Sequence, residues 1–395
     1  MDLQYNAAQH ISLRHRDFRK LCLANFLFAL SVYMLLPVLP SWMTDMTEYS
    51  RFQMSSAMAA FGVGVFSLGG FSSFLIQKYR RNKVCILAMT VLMACMLVVA
   101  YLDQEAVPVV GSKDGFAFVV AMRFLSGAVF GLAYMILNST LIVDCCESSH
   151  RTRANMVSMW SYRLAVGVGP LLGILSLKEV GYVNSLYVSA VVCLAALSIL
   201  ASVKFPFKAP DENVRFFSFD RFFMPRSFPL FITTAAVAVS LGVMFASTNG
   251  WMFYAWFVAG LVVVAFMQTV FTALRQVNWI PYLSYLLIFI GIWLYCYDGS
   301  ISLCGIGAFL IGTGIAALTS RLHIYFIHVG DHCQRGTAQS TYILSFEFGI
   351  AAGFALKIYY MCNIQPVFLV GGFLLLSLLT YIVMSFGWLK KNLRK

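Results

Sequence analysis

The chain has 395 residues, of which 60% are hydrophobic and 11% are charged, and its formal net charge is +12 at pH 7. A water-soluble domain carries about 25% charged residues, so this composition excludes a soluble globular protein of this length. The excess of basic residues is explained by their placement beside a membrane, as shown below, and predicts no nucleic-acid partner.

Long apolar runs separated by short polar breaks fill the chain. A helix needs roughly 20 apolar residues to cross a bilayer, whereas the strands of a membrane barrel are about half as long and alternate in polarity. The runs therefore predict an all-α membrane protein. Twelve predicted transmembrane helices, numbered in chain order, lie at 18–41, 53–76, 84–102, 116–143, 154–177, 182–203, 229–248, 251–273, 279–297, 300–327, 337–361 and 366–388.

The basic residues predict the topology, because Lys and Arg accumulate in cytoplasmic loops. With a cytoplasmic N-terminus, 22 of the 28 Lys and Arg residues fall inside, 3 fall outside, and 3 (Arg123, Arg163 and Lys357) fall within helices. Both termini are therefore predicted to be cytoplasmic, and the protein is expected to be multi-pass in the cell (inner or plasma) membrane. The first apolar run is too long for a signal-peptide core and predicts a retained helix.

A polar stretch at 204–228 divides six predicted helices from six. We expect an N-terminal six-helix bundle at 1–203, a cytoplasmic linker at 204–228 and a C-terminal six-helix bundle at 229–395. Phenylalanine residues lie beside Arg215 and Arg221 in the linker, which suggests a segment lying at the membrane interface.

The two halves resemble each other where predicted helices 5 and 11 begin. A constant offset of 184 residues brings together five related pairs, namely Arg151 and Arg335, Ala154 and Ala338, Ser161 and Ser345, Tyr162 and Phe346, and Gly169 and Gly353. Such duplicated halves are a transporter architecture, with a binding site near the membrane midplane between them. The fold predicted is therefore two pseudo-symmetric six-helix bundles.

The same alignment pairs Arg163 with Glu347, each about ten residues into its predicted helix. Charges at this depth are costly and usually face the interior of a bundle or a watery cavity. If helices 5 and 11 flank one cavity, the two side chains approach each other across it. One interpretation is a coupling pair in which Glu347 exchanges a proton, and the other is a permanent salt bridge that locks the halves.

Arg123 lies on one face of predicted helix 4 with Gly127 and Gly131, at four-residue spacing. It is interpreted as a buried cation that tunes a proton site or holds an anion, or alternatively as a side chain that reaches the outer surface. Asp144 ends the same helix near Glu147 and Arg151, and predicts either a cytoplasmic latch or an ordinary helix-end salt bridge.

Polar and aromatic positions on predicted helices 1, 4, 5 and 11 are candidates for a substrate cavity, although packing alone also explains each of them. These candidates are Asn25, Tyr33, Tyr134, Asn138, Tyr162, Gln339, Tyr342 and Phe346. Helix 5 also carries Gly167, Gly169, Pro170 and Gly173, which predict a hinge or simply close packing. A metal site among His323, His328, His332 and Asp331 is a much weaker hypothesis, and no metal or cofactor is expected.

These features resemble the major facilitator superfamily over essentially the whole chain. The Arg123-x-x-x-Gly127 spacing is similar to a helix 4 motif that this family uses in proton coupling. The Gly167-x-Gly169-Pro170-x-x-Gly173 run is similar to the helix 5 motif of its antiporter branches. The resemblance implies export in exchange for protons.

The chain departs from the family at two places. In the signature of the loop between helices 2 and 3, Lys78 and Arg81 match, whereas Gln77 replaces the usual acid. Asp144 becomes a candidate for the missing acid in a cytoplasmic latch. The acid that multidrug exporters of the family often carry in helix 1 is also missing, and Glu347 is a candidate to replace it.

The main functional hypothesis is a proton-coupled antiporter that exports small, partly hydrophobic molecules by alternating access. One alternative is a proton-coupled symporter that takes up a nutrient or an anionic metabolite, bound by Arg123 and Arg163. Another is a non-transporting membrane receptor or scaffold, and an enzyme is not expected. The predicted partners are a small-molecule substrate, protons and lipid, and the protein is expected to be a monomer.

Overall fold

The protein is described by a computed structural model that covers residues 15–105, 113–146, 150–205, 214–248, 250–270, 279–297, 301–331, 334–360 and 365–392. The regular elements within these ranges are all helical. The first half contains α1 (Arg16–Tyr33 and Leu35–Met46), α2 (Arg51–Ser67 and Ser72–Lys78), α3 (Arg81–Glu105), α4 (Lys113–Ile136 and Ile142–Asp144), and the stretch Arg151–Ala201, which Gly181 divides into α5 and α6.

The second half follows the linker and repeats the helical pattern. It contains α7 (Phe228–Ser247), α8 (Trp251–Val270), α9 (Ile280–Tyr297), α10 (Ile301–Val329), α11 (Arg335–Tyr359), α12 (Pro366–Phe386) and the short α13 (Trp388–Asn392).

Ten stretches of the described chain are long and apolar enough to cross a membrane. One of them, Arg151–Ala201, has 51 residues, and Gly181 interrupts it with a φ of 81° that favours glycine. The apolar part of α9, Ile280–Cys296, is shorter than the other candidates. The all-helical, multi-pass architecture is confirmed, whereas the count of twelve crossings and the orientation of the termini stay predictions.

Helix packing is similar in the two halves. In the first half α1 packs on α5 and α2 on α4, and in the second half α7 packs on α11 and α8 on α10. A Cβ added at Gly169 of α5 would lie 2.4 Å from the Cβ of Tyr33 in α1. A Cβ added at Gly353 of α11 would lie 2.3 Å from the carbonyl oxygen of Val239 in α7. The glycine pair found in the sequence comparison therefore makes equivalent close contacts in both halves.

The halves meet along α2 with α11 and along α5 with α8. Gly62 of α2 faces Ala351 of α11 so closely that a Cβ on the glycine would lie 2.6 Å from the alanine Cβ. Where α11 and α5 begin, the side chain of Arg335 donates a hydrogen bond of 2.8 Å to Thr152 of α5. The two halves are therefore joined at more than one level of the molecule.

The described part of the linker is wedged between the halves. The backbone N–H of Ser218 donates to the carbonyl of Gly70 in α2 at 2.9 Å. The N–H groups of Arg221 and Met224 donate to hydroxyl groups of α11 at 3.0 and 2.9 Å. Phe222 is buried, and its ring packs so closely on Gly69 that a Cβ added to this glycine would lie 1.9 Å from a ring carbon. The linker therefore docks on protein, although three of its phenylalanines stay exposed: Phe216, Phe217 and Phe219.

One basic residue differs from its place in the predicted topology. Arg321 is one of the 22 basic residues that the charge pattern assigns to the cytoplasmic side, but it lies inside α10 and is buried. Its guanidinium group donates to the hydroxyl of Tyr325 at 3.1 Å and lies over the same ring. The excess of basic residues on the predicted cytoplasmic side is reduced by this one residue, and that side still has more of them than the outside.

Candidate functional site

Glu347 lies near the middle of α11 and is 3% exposed. Its Oε1 accepts hydrogen bonds from the hydroxyl groups of Tyr162 at 2.7 Å and Tyr33 at 3.0 Å. The two hydroxyl oxygens are 2.8 Å apart. Helices from both halves thus meet at one buried carboxyl group. Binding a proton would remove its charge, and the two hydroxyl groups stabilise the ionised form by hydrogen bonding.

Arg163 has other partners than the one that the sequence suggested. Its guanidinium group donates to the hydroxyl and carbonyl oxygens of Thr319 in α10 at 3.2 and 3.0 Å, and to the hydroxyl of Tyr342 at 3.4 Å. Among the described contacts, no salt bridge joins it to Glu347. Adjacent positions on α5 point in different directions, so Tyr162 reaches Glu347 while Arg163 faces α10. The expected direct pair is therefore wrong for this conformation.

Arg123 and Glu347 line the same cavity. The cavity encloses about 380 Å³ of space between atoms, part of it open to solvent, and Glu347, Arg123 and Tyr33 line it among apolar side chains. The guanidinium carbon lies 4.7 Å from the centre of the Phe61 ring. Its Nε is buried and has no hydrogen-bond partner among the described atoms. The residue as a whole is half-buried. Its role as a buried cation beside a proton site therefore stays a prediction.

A second polar layer lies on the side of Glu347 where α11 begins. Asn138 donates to Asn25 at 2.9 Å and accepts from the hydroxyl of Ser158 at 2.5 Å. Gln339 reaches the same group from α11, with its Nε2 3.4 Å from the Ser158 hydroxyl. Eight residues separate Gln339 from Glu347, which is about 12 Å along a helix. The two polar layers are therefore stacked along the axis between the halves.

The predicted aromatic residues connect these layers. The ring of Tyr134 lies 5.1 Å from that of Tyr162, which lies 5.8 Å from Phe346. Phe346 in turn lies 6.2 Å from Tyr342. The hydroxyl of Tyr134 is buried without a hydrogen-bond partner among the described atoms. All eight predicted cavity residues are buried in the centre of the molecule, where the structure brings them into one network.

The glycine motif of α5 supports this centre from behind. A Cβ on Gly173 would lie 2.0 Å from the carbonyl oxygen of Met34, at the turn that follows Tyr33. A Cβ on Gly167 would lie 2.6 Å from Leu261 of α8. Helical backbone continues through Pro170, and the break comes only at Gly181. The motif thus packs closely on α1 and α8, and its role as a hinge stays a prediction.

The glycines of α4 allow an equally close approach to the backbone of α2. A Cβ on Gly127 would lie 2.1 Å from the carbonyl oxygen of Phe61, and a Cβ on Gly131 would lie 2.4 Å from that of Val65. Close contact between the two backbones holds Phe61 against Arg123.

Asp144 forms an ion pair with Arg81, a basic residue that matches the loop 2–3 motif, and its other oxygen lies 3.9 Å from Arg151. A contact with the motif and a contact at the helix end thus occur together, while Glu147 is outside the described residues. Gln77 donates to Ser73 in its own helix at 2.9 Å, and Lys78 lies over the ring of Phe74. Asp144 is therefore an acid that contacts Arg81 of the motif, and its role as a cytoplasmic latch stays a prediction.

Sequence reasoning missed three contributors to the site. Ser158 and Thr319 looked like ordinary helix residues, and their partners come from other helices. His323 was assigned to a weak metal cluster, yet its ring packs 4.9 Å from that of Tyr342. Among the described residues no group of three His, Cys, Asp or Glu side chains is placed to hold a metal, and His332 lies outside them. The sequence offered one sign of this part of the site, namely His323, which lies about one helical turn after Thr319 in α10.

The fold and the site define a multi-pass helical membrane protein of transporter architecture, with a buried polar centre between two helical halves. The model of the Major Facilitator Superfamily matches residues 21–272, which is more than half of the chain. The chain belongs to this family, and the resemblance seen in its motifs is confirmed.

Two solved structures have the same fold at low sequence identity. The human organic anion transporter MFSD10 (TETRAN) superposes with a TM-score of 0.63 at 15% identity, covering 93% of this chain and 98% of that chain. A D-xylose-proton symporter superposes with a TM-score of 0.64 at 13% identity, covering 92% of this chain and 96% of that chain. No curated protein sequence matches the chain. At these identities the two structures establish the fold alone.

Proposed function

We propose that the chain is a proton-coupled antiporter that exports small, partly hydrophobic molecules by alternating access, with Glu347 as the residue that carries the proton. The observation on which this rests is the buried Glu347 carboxyl group, held by Tyr33 and Tyr162 and by no basic side chain among its described partners. A carboxyl group buried within a membrane-spanning helix is a functional candidate, because burying a charge there is energetically unfavourable.

The position of Glu347 supplies a coupling mechanism. Its two hydrogen-bond donors belong to the first half, whereas Glu347 belongs to the second. Separation of the halves would break both bonds and expose the carboxyl group to water on one side, where it exchanges its proton. The adjoining cavity is otherwise apolar, apart from Arg123 and Tyr33, and suits a partly hydrophobic molecule.

The first experiment measures resistance to a panel of toxic compounds in a host without its own efflux pumps. Wild type is compared with Glu347→Gln and with Glu179→Gln, which makes the same change at an exposed position. Resistance in wild type and in Glu179→Gln, lost in Glu347→Gln at equal expression, is the expected result. Resistance that survives in Glu347→Gln removes this carboxyl group from the mechanism and retains the exporter.

Uptake by proton symport is the second candidate. Arg163 has no acidic partner among the described residues, which favours a substrate with a negative charge. One fold neighbour is named as a proton symporter and the other as an organic anion transporter. Uptake into vesicles with an acidic exterior, instead of extrusion, would favour this alternative. No movement of any compound in either direction would favour a non-transporting receptor or scaffold.

A further inference from the structure

Arg163 is a buried cation, 4% exposed, whose described contacts are all with neutral groups. Thr319 and Tyr342 supply its hydrogen bonds, and its guanidinium carbon lies 5.3 Å from the Trp160 ring and 5.7 Å from the Tyr342 ring. Burying a guanidinium group without an acid is unfavourable, since nearby dipoles replace only part of its hydration. Glu347, five residues after Tyr342 on α11, is held instead by two tyrosines.

A second hydrogen-bonding group lies against the same tyrosine. His323 of α10 is 1% exposed, and its ring centre lies 4.9 Å from that of Tyr342. Its Nε2 is buried without a hydrogen-bond partner among the described atoms. Tyr342 thus has a cation near its ring and a histidine packed on it, from helices of opposite halves. Neither Arg163 nor His323 is used by the proton site.

We propose that Arg163, His323, Thr319 and Tyr342 form an anion subsite that binds the carboxylate of an organic acid with an aromatic or apolar body. A planar guanidinium group matches the two oxygens of a carboxylate, and the hydroxyl groups and imidazole add further donors. Trp160 and Phe346 lie beside the subsite and provide apolar surface for the body of the molecule. The inference rests on the proposed function, because it names the class of substrate that would bind between the two halves.

The subsite also fits alternating access. Arg163 comes from the first half, whereas Thr319, His323 and Tyr342 come from the second. An acid bound between them would neutralise the cation and hold the halves together. When the halves open, the carboxylate of the ligand would lose the donors of one half. The ligand would then be released.

The test measures binding to the purified full-length protein in nanodiscs. The probes are benzoate, phenylacetate and 3-phenylpropionate, each compared with its neutral primary amide, and binding is followed by the thermal unfolding midpoint and by tryptophan fluorescence. We expect at least one acid to bind more tightly than its amide by about tenfold or more, as a charge-assisted contact requires. Arg163→Gln should weaken that acid by about tenfold or more and leave the amide unchanged.

Arg153→Gln is the matched control, because it removes an exposed arginine from the same helix and should leave acid binding intact. Should Arg163→Gln not fold, His323→Phe tests the same prediction through selective loss of acid binding. Amides that bind as well as the acids, failure of all three acids to bind, or normal acid binding in Arg163→Gln would each overturn the subsite. Selective acid binding without any transport would leave the subsite standing and overturn the proposed function instead.

Discussion

At the scale of single residues, Tyr33 and Tyr162 decide what Glu347 can do. Each hydroxyl group donates to the same carboxylate oxygen, and the two rings meet edge to face at 5.9 Å. Hydrogen bonds to a charged group contribute about 1.5–3 kcal/mol, which offsets part of the cost of burying a carboxylate. The three side chains therefore act as one unit.

The unit predicts coupled effects of substitution on stability. Tyr162→Phe should lower the free energy of unfolding by about 1–3 kcal/mol in wild type, because Glu347 loses a donor. In a Glu347→Gln background the same change should cost less, with a coupling energy of at least about 0.5 kcal/mol. Denaturant unfolding of the four proteins in detergent measures this cycle.

Tyr285→Phe provides the control for that cycle. Its hydroxyl group lies 2.6 Å from Ser377 in α12, away from Glu347. Its effect should add to that of Glu347→Gln within about 0.5 kcal/mol. Additive effects for Tyr162 as well would show that its hydroxyl group contributes nothing through the carboxylate.

At the scale of helices, small residues set the distances on which the site depends. Gly169 and Gly173 let α5 approach the backbone of α1 at Tyr33 and Met34. That approach places the Tyr33 hydroxyl within reach of Glu347. The glycine motif is thus linked to Glu347 through the position of one tyrosine.

Gly173→Ala tests this packing. The added methyl group would lie 2.0 Å from the carbonyl oxygen of Met34, so the helices must separate. We expect a loss of about 1–3 kcal/mol of stability, typical of overpacking, together with reduced transport. Gly371→Ala in α12 is the control, because nothing lies within 4 Å of its added Cβ. It should be neutral or stabilise by up to about 1 kcal/mol, and an equal loss in both variants would contradict the packing argument.

Two local departures from regular helix could not be predicted from the sequence. A π-helical segment at Leu137–Leu141 contains Asn138 and widens α4 where that side chain joins the polar layer. A 3-10 turn at Gly69–Phe71 interrupts α2 where the linker docks. Such irregularities are common at functional sites, and both depend on contacts with distant segments.

At the scale of the whole molecule, the linker and the helices that pack across the interface hold the two halves together. Backbone groups of the linker bond to Gly70 in the first half and to Thr337 and Thr341 in the second. Every movement of the halves must therefore carry or release this segment. Its described part is a structural tie between the halves rather than a loose connection.

The topology is tested at the same scale with fusions to green fluorescent protein and alkaline phosphatase. Fusions after Arg275 and at the C-terminus should fluoresce, and a fusion after residue 299 should show phosphatase activity, because the charge asymmetry places the first two inside. The fusion after Arg226 in the linker is the internal control for a cytoplasmic position. An active phosphatase at the C-terminus together with a fluorescent fusion after residue 299 would show that α9, the shortest apolar candidate, does not cross the membrane.

The sequence by itself determined that most of the chain lies in a membrane, that it forms helices, and which family it belongs to. Composition and the length of apolar runs depend only on local chemistry, and the 184-residue offset and the motifs at Arg123 and Gly169 can be read along the chain. The presence of Glu347 as a central residue was also predicted, since a charge at that depth is rare.

Only the tertiary structure decided which residues meet. Arg163 and Glu347 were expected to pair because they occupy equivalent positions, yet each bonds to hydroxyl groups on other helices. Helix rotation decides this, and rotation is set by glycine contacts and ring packing between segments far apart in the chain. The ion pair of Asp144 with Arg81 joins residues 63 positions apart for the same reason. Side-chain direction in a bundle is a property of packing, so a linear pattern identifies candidates and the fold assigns their partners.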